Sequence, residues 1–230
     1  MSRVAPTADS RQWLAAGFAR TLPFALYIGF LALVPLLSPL VADARWLYAV
    51  QIGLVVLALG FLSRRYVELA TPFAIGLKDA GLAVVVGVAV FAAWIHLELP
   101  WLARSGADGF NPSQPDGSLS LALIVLRIAG AVIVIPVMEE LFWRSFVLRW
   151  FDRSDFMQLA PRAVSWRALV YCAIPFGLEH KLWFAGILAG LAYGWLYRHS
   201  GKLWLPILAH ATTNLLLGLW VVNTGNWRFW

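Results

Sequence analysis

Ionisable side chains are scarce in this chain. Charged residues make up 13% of it and only 12 are acidic, against 61% apolar residues and a mean hydropathy of +0.74. So little charge cannot coat a water-soluble globule, and the composition is that of a membrane protein. Cysteine is almost absent. Cys172 stands alone, so no internal disulfide can form, and its apolar surroundings point to a buried structural thiol. Internal repeats, low-complexity segments, a G-x-S-x-G elbow and an H-E-x-x-H pair are all missing, which removes the usual signatures of serine and zinc hydrolysis.

What the chain has in abundance is long apolar runs. A helix needs roughly 20 apolar residues to cross the hydrocarbon core, and seven runs approach or reach that length. They fall at about 22–42, 46–62, 80–101, 119–150, 166–183, 184–199 and 203–222. The expected fold is all-α, a polytopic transmembrane bundle of about seven spans forming one domain over residues 1–230, with no separate soluble domain. The first run is longer than a signal-peptide core and lacks a small-residue cleavage pattern, so it is expected to be a retained span.

The net charge of +6 has a topological explanation. Arg64, Arg65 and Lys78 lie between spans two and three, Arg149, Arg153, Arg162 and Arg167 follow span four, and Arg198 and Lys202 join spans six and seven. By the positive-inside rule these connections are cytoplasmic, as is the N-terminal flank with Arg3, Arg11 and Arg20, in a multi-pass protein of the cell (inner) membrane. The Gly/Pro/Ser/Asp loop at 104–118 then faces outward, with the C-terminus on its side. No basic stripe with polar or aromatic contacts stands out, which excludes nucleic acid as a partner. Trp46, Trp101, Trp166, Trp183 and Trp204 fall near run ends, where aromatic rings settle at the membrane interface. Gly186, Gly190 and Gly194, four residues apart, mark a close helix-packing face.

Against this background the polar residues inside the runs need partners, because a charge at the bilayer centre costs about 2.5 to 3.5 kcal/mol on insertion scales. "VMEELFWRSF" at 137–146 carries three. Glu140 and Arg144 are four apart on one helical face and can neutralise each other, whereas Glu139 is rotated away from that pair. Pro136 can kink the span and free a carbonyl, opening space near Glu139 that water can enter. Phe176 and His180 repeat the four-residue spacing on span five, after Pro175, and His210 and Asn214 repeat it on span seven. Each pair taken alone reads equally well as packing glue or an interfacial histidine. Together they supply a carboxylate, two imidazoles and an amide, the parts of a hydrolytic site. A carboxylate with an imidazole can activate water, as Glu139 and His180 would, and an imidazole N–H with an amide NH₂ can stabilise an oxyanion, as His210 and Asn214 would.

These residues resemble a known family, the CAAX protease and bacteriocin-processing (CPBP) intramembrane proteases of the Rce1-like glutamic type. Its E-E-x-x-x-R motif is matched by Glu139, Glu140 and Arg144, its F-x-x-x-H motif by Phe176 and His180, and its H-x-x-x-N/D motif by His210 and Asn214. The resemblance covers roughly the C-terminal half, with a protease-like core at about 119–222. It implies a helical membrane endopeptidase that cuts peptide bonds near the C-terminus of a membrane-associated protein. In its mechanism the first glutamate and the second-motif histidine activate water, the third-motif pair forms the oxyanion hole, and Glu140 with Arg144 supports the site. The compact size and the context of the first motif also resemble the bacterial branch called CAAX prenyl protease-related, associated with exosortase and C-terminal sorting systems, which makes a C-terminal sorting signal the alternative to a lipid group on the substrate.

The expected partners are the lipid bilayer and a peptide or protein substrate, with no cofactor required. Two other functions fit the same residues. Two histidines and a glutamate can hold Zn²⁺ with one position left for water, giving a metalloprotease. Alternatively, a non-catalytic immunity or scaffold protein would keep the polar cluster for packing. One geometric demand accompanies all three. Straight, parallel spans would hold Glu139 and His180 apart, so span four is expected to be long and kinked, with residues 141–151 continuing its helix.

Overall fold

A computed structural model describes residues 8–70, 75–97 and 109–230. Arg3, Trp101 and the first part of the 104–118 loop lie outside them. Every expected span contains one helix: α1 (Ala8–Leu37), α2 (Leu47–Leu62), α3 (Leu77–His96), α4 (Leu121–Trp150), α5 (Trp166–Leu178), α6 (Trp183–Ser200) and α7 (Trp204–Thr224). No strand occurs among the described residues, and one isolated bridge joins Ser113 to Leu119. By length and composition α1, α2, α3, α4 and α7 can each cross a bilayer. α5 is shorter and α6 is largely enclosed by its neighbours.

The polarity of the bundle is inverted relative to a soluble protein. Leu36, Phe61 and Leu77 face outward at 70, 88 and 91% exposure, whereas Arg20, Gln51, Glu140, Arg144 and Arg149 are buried. Hydrocarbon outside and paired charge inside is what a lipid solvent selects, and the chain is a multi-pass membrane protein.

Two groups of contacts define its ends. At one end, Arg20 Nη2 lies 2.6 Å from Glu68 Oε2, and Arg20 Nε donates to Ser145 Oγ at 2.8 Å. Arg149 Nη1 approaches the same glutamate at 3.7 Å, and Ser145 Oγ also donates to it. This network ties α1, the α2–α3 connection and the last turns of α4 together. Lys202, between α6 and α7, meets Asp79 at the start of α3 at 3.9 Å. Arg20 and Arg149 are therefore not solvated flanks, as their sequence positions suggest. Glu68, far from both in sequence, draws them inward. At the opposite end, Arg45 donates to Ser113 O at 2.7 Å and Phe110 N to Trp230 O at 3.2 Å, joining the α1–α2 and α3–α4 connections to the C-terminus. Beside Asp43, the Arg45 guanidinium holds that carboxyl below its ordinary range.

Two departures from regular helix shape the interior. α4 is broken by π-turns at Gly130–Val134 and Leu141–Val147, on either side of a short α-helical stretch, Ile135–Glu140, that contains Pro136. The irregularity expected from Pro136 thus takes the form of widened turns, a common device at functional sites. Helicity then continues to Trp150, as a long span four requires. α5 ends at Leu178, where span five was expected to reach 183, and a turn over residues 179–182 leads into α6. With 13 residues, α5 rises only about 20 Å against a hydrocarbon core of about 30 Å, so this turn lies at membrane depth. The expected glycine face holds the hairpin together. A Cβ on Gly186 would come within 2.8 Å of Gly177 Cα, and one on Gly190 within 2.9 Å of Ala173 Cα.

Candidate active site

Glu140 and Arg144 form the ion pair their spacing predicts, Nε to Oε2 at 3.1 Å, with both side chains essentially inaccessible. The guanidinium lies over the rings of Phe176 at 4.1 Å and Tyr193 at 5.4 Å, which satisfies its face where water cannot reach. Glu140 has a second partner that helical spacing alone does not reveal: its Oε1 lies 3.0 Å from His210 Nδ1. A carboxylate only accepts, so Nδ1 carries the proton that fixes this ring, and Nε2 points towards Glu139 Oε2, 4.0 Å away. The neighbouring glutamates are thus divided as expected in one respect, since only Glu140 pairs with Arg144, but the same imidazole lies against both. Glu139 Oε2 is buried without a hydrogen-bond partner among the described residues.

His180 lies just beyond the end of α5, in the turn that the short helix leaves inside the bundle. Its Nδ1 is 2.7 Å from Phe176 O, and with that N–H donated to the carbonyl its Nε2 is left as an acceptor. The ring is held between Phe176 at 4.9 Å and the edge of Trp94 at 5.3 Å. Counted from the end where α4 finishes and α5 begins, Glu139 is about 17 Å deep and His180 about 21 Å, at 1.5 Å per residue. The two reach one level because both helices are counted from the same end. Ligating atoms of Glu139, Glu179 and His180 all lie within 4.8 Å of one another.

α7 supplies the other pair. His210 stacks on Tyr193 with centroids 5.1 Å apart, and Tyr193 donates its hydroxyl to Thr213 Oγ1 at 2.7 Å. Thr213 in turn donates to Gly87 O at 2.9 Å, anchoring α7 on α3. Asn214 Nδ2 donates to Ala131 O in the first π-turn of α4 at 2.7 Å. Pro136, five residues beyond Ala131, has no N–H to offer that carbonyl, so Asn214 takes a group the broken helix leaves open. The amide retains a second N–H.

His180, His210 and Asn214 line one small enclosed cavity of about 30 Å³, together with Phe176, Tyr193 and Trp94. That is room for one or two waters among polar donors and acceptors. The structure therefore gathers Glu139, Glu140, Arg144, Phe176, His180, His210 and Asn214 from three helices and a turn into one buried cluster. Sequence reasoning missed Glu179, Trp143, Tyr193 and Trp94. Glu179, whose Oε1 accepts from Trp143 Nε1 at 3.1 Å, was visible only as the residue before His180, and Tyr193 only as an aromatic within the glycine face. The metal-ligand group of Glu139, Glu179 and His180 also differs from the two-histidine set expected from sequence, because His210 is engaged by Glu140.

Fold and site define a polytopic helical membrane protein with a cavity lined by His180, His210 and Asn214 inside the bundle. Residues 120–216 match the family described as type II CAAX prenyl endopeptidase, Rce1-like, the family that the three motifs resemble. The matched segment is less than half of the chain and contains all three motifs. The chain has no significant match to a curated protein or to a solved structure.

Proposed function

We propose that the protein is an intramembrane endopeptidase of the CPBP type, hydrolysing peptide bonds near the C-terminus of a membrane-associated protein. The observation that carries this reading is the buried Glu139 Oε2, which makes no hydrogen bond and lies 4.0 Å from Nε2 of His210, a residue that lines a water-sized cavity together with His180 and Asn214. In the proposed mechanism Glu139 takes a proton from water while Nε2 of His180 orients it for attack on the scissile carbonyl. The developing oxyanion is met by Asn214, through its free N–H, and by the ring of His210, which Glu140 orients through Nδ1. Glu140 and Arg144 hold His210 in place. The site needs no cofactor on this reading, the N-terminus is cytoplasmic, and the membrane is the cell (inner) membrane.

The test is cleavage of membrane-protein C-termini, followed by comparing membrane proteomes with and without active protein. Glu139→Ala and His180→Ala are each expected to reduce cleavage at least 100-fold at equal protein abundance. Full activity of either variant sinks the assignment and leaves a scaffold or immunity-type role. A second reading, a zinc-dependent protease, is favoured by the proximity of Glu139, Glu179 and His180. It predicts stoichiometric zinc in purified protein that is lost together with activity on chelation, whereas the metal-free mechanism predicts activity unchanged by chelators.

A further inference from the structure

Peptide hydrolysis requires two proton movements. One proton leaves the attacking water, and another must reach the nitrogen of the leaving amine, which is otherwise too basic to depart. Glu139 with His180 accounts for the first. On the proposed mechanism His210 and Asn214 are committed to the oxyanion and Glu140 and Arg144 to their own ion pair, so the second proton comes either back from Glu139 or from a separate acid.

We infer that Glu179 is a further catalytic residue, the acid that protonates the leaving amine. This deepens the protease reading and rests on it. Three observations carry it. Glu179 lies within 4.8 Å of both Glu139 and His180, measured between ligating atoms, so it borders the position the attacked peptide group must occupy. The Trp143 indole N–H fixes its Oε1 at 3.1 Å, and that same oxygen lies 3.9 Å from His180 Nδ1, so the carboxyl is held against the histidine. Its side chain is 20% exposed where that of Glu139 is 9%, placing Glu179 on the open side of the cluster, through which a product amine leaves. Independently, the buried Glu139 Oε2 has no hydrogen-bond partner, so the cluster contains an atom awaiting a ligand or substrate.

The step balances without a co-reactant. Water adds to the carbonyl carbon as Glu139 accepts its proton. The tetrahedral intermediate collapses, the C–N bond breaks with its electron pair going to nitrogen, and Glu179 gives that nitrogen a proton. The proton held by Glu139 then passes to Glu179, and both carboxyls return to their starting states. One water has been divided between the new carboxyl and the new amine. Other ionisable groups around the pair are Glu140 and Arg144 on α4, Cys172 on α5, His210 on α7, and Lys181 beside His180 in the turn.

Leaving-group dependence tests the role. A peptide leaves as a strongly basic amine and needs the acid, whereas an activated ester of the same acyl segment leaves without one. Glu179→Gln is expected to lower the cleavage rate of the peptide by about 100-fold and that of the ester by less than about 10-fold. The ratio is taken in a single preparation, so it does not depend on how much of the variant folds. If Glu179→Gln yields no protein, Glu179→Asp is measured the same way and is expected to shift the ratio in the same direction. Equal losses on both substrates, or no loss on either, overturn the inference. Glu139→Gln separates the two levels. If it inactivates the protein towards both substrates while Glu179→Gln is selective or silent, the protease reading stands, and if it is fully active, that reading itself fails.

Discussion

Glu140 is committed through both of its oxygens. Its two oxygens meet Arg144 on its own helix and His210 on α7, with no accessible surface at Glu140 itself. Removing a member of a buried charge network leaves the others unpaired, which costs about 3–5 kcal/mol, more than truncation of the packed side chain alone would explain. Glu140→Ala is therefore expected to be both destabilised and inactive, with a lowered unfolding temperature in detergent. Glu139→Ala should be inactive with an unfolding temperature near that of the parent, because Glu139 Oε2 makes no hydrogen bond and its neighbour His210, 4.0 Å away, stays held by Glu140. Separating the two glutamates in this way checks the division of labour. That division was legible in the sequence through the four-residue spacing of Glu140 and Arg144. The contact of Glu140 with His210 was not, since 70 residues separate them and no periodicity connects α4 with α7.

The elements that place these side chains are irregular where the site is. Pro136 signalled a break in α4, and the break consists of two π-turns whose positions cannot be derived from proline alone. The glycines of α6 were easier to read, because small residues four apart have few uses in a membrane helix other than close approach. Gly190 sits against Ala173 and Phe176, so Gly190→Leu should force α6 away from α5 and with it displace Phe176, the support of both Arg144 and His180. Loss of folded protein on size-exclusion chromatography, or folded protein with strongly reduced cleavage, is the expected result. Gly29, whose surroundings are open, should accept the same change with little effect on either measurement. The end of α5 at Leu178 was misread because the apolar run continues through "LWFAG", and hydropathy does not register where a helix turns within such a run.

At the scale of the whole chain, the alternation of basic and non-basic connections predicts opposite sides for the two termini, and two groups of contacts lie towards opposite ends of the bundle. The network of Arg20, Glu68 and Arg149 marks one end, and the contact of Phe110 with Trp230 marks the other. Because Cys172 is the single cysteine and is buried, an introduced cysteine reports alone. In intact cells, Ser118→Cys is expected to react with a membrane-impermeant maleimide and Ser154→Cys to react only after lysis, and the reverse pattern would invert the proposed orientation. Composition made the membrane class plain, whereas the burial of Arg20 and Arg149 was hidden, since charge counting treats every arginine near a run end as solvated. The short α5 has one further consequence, which concerns the lipid. Trp166, Val170, Tyr171, Ile174 and Leu178 lie on the outside of a helix only about 20 Å long, so the bilayer beside this hairpin must thin or the hairpin must sink. Cleavage in vesicles should accordingly be faster in short-chain than in long-chain phospholipids, making acyl-chain length a control on the enzyme that no residue in the cavity provides.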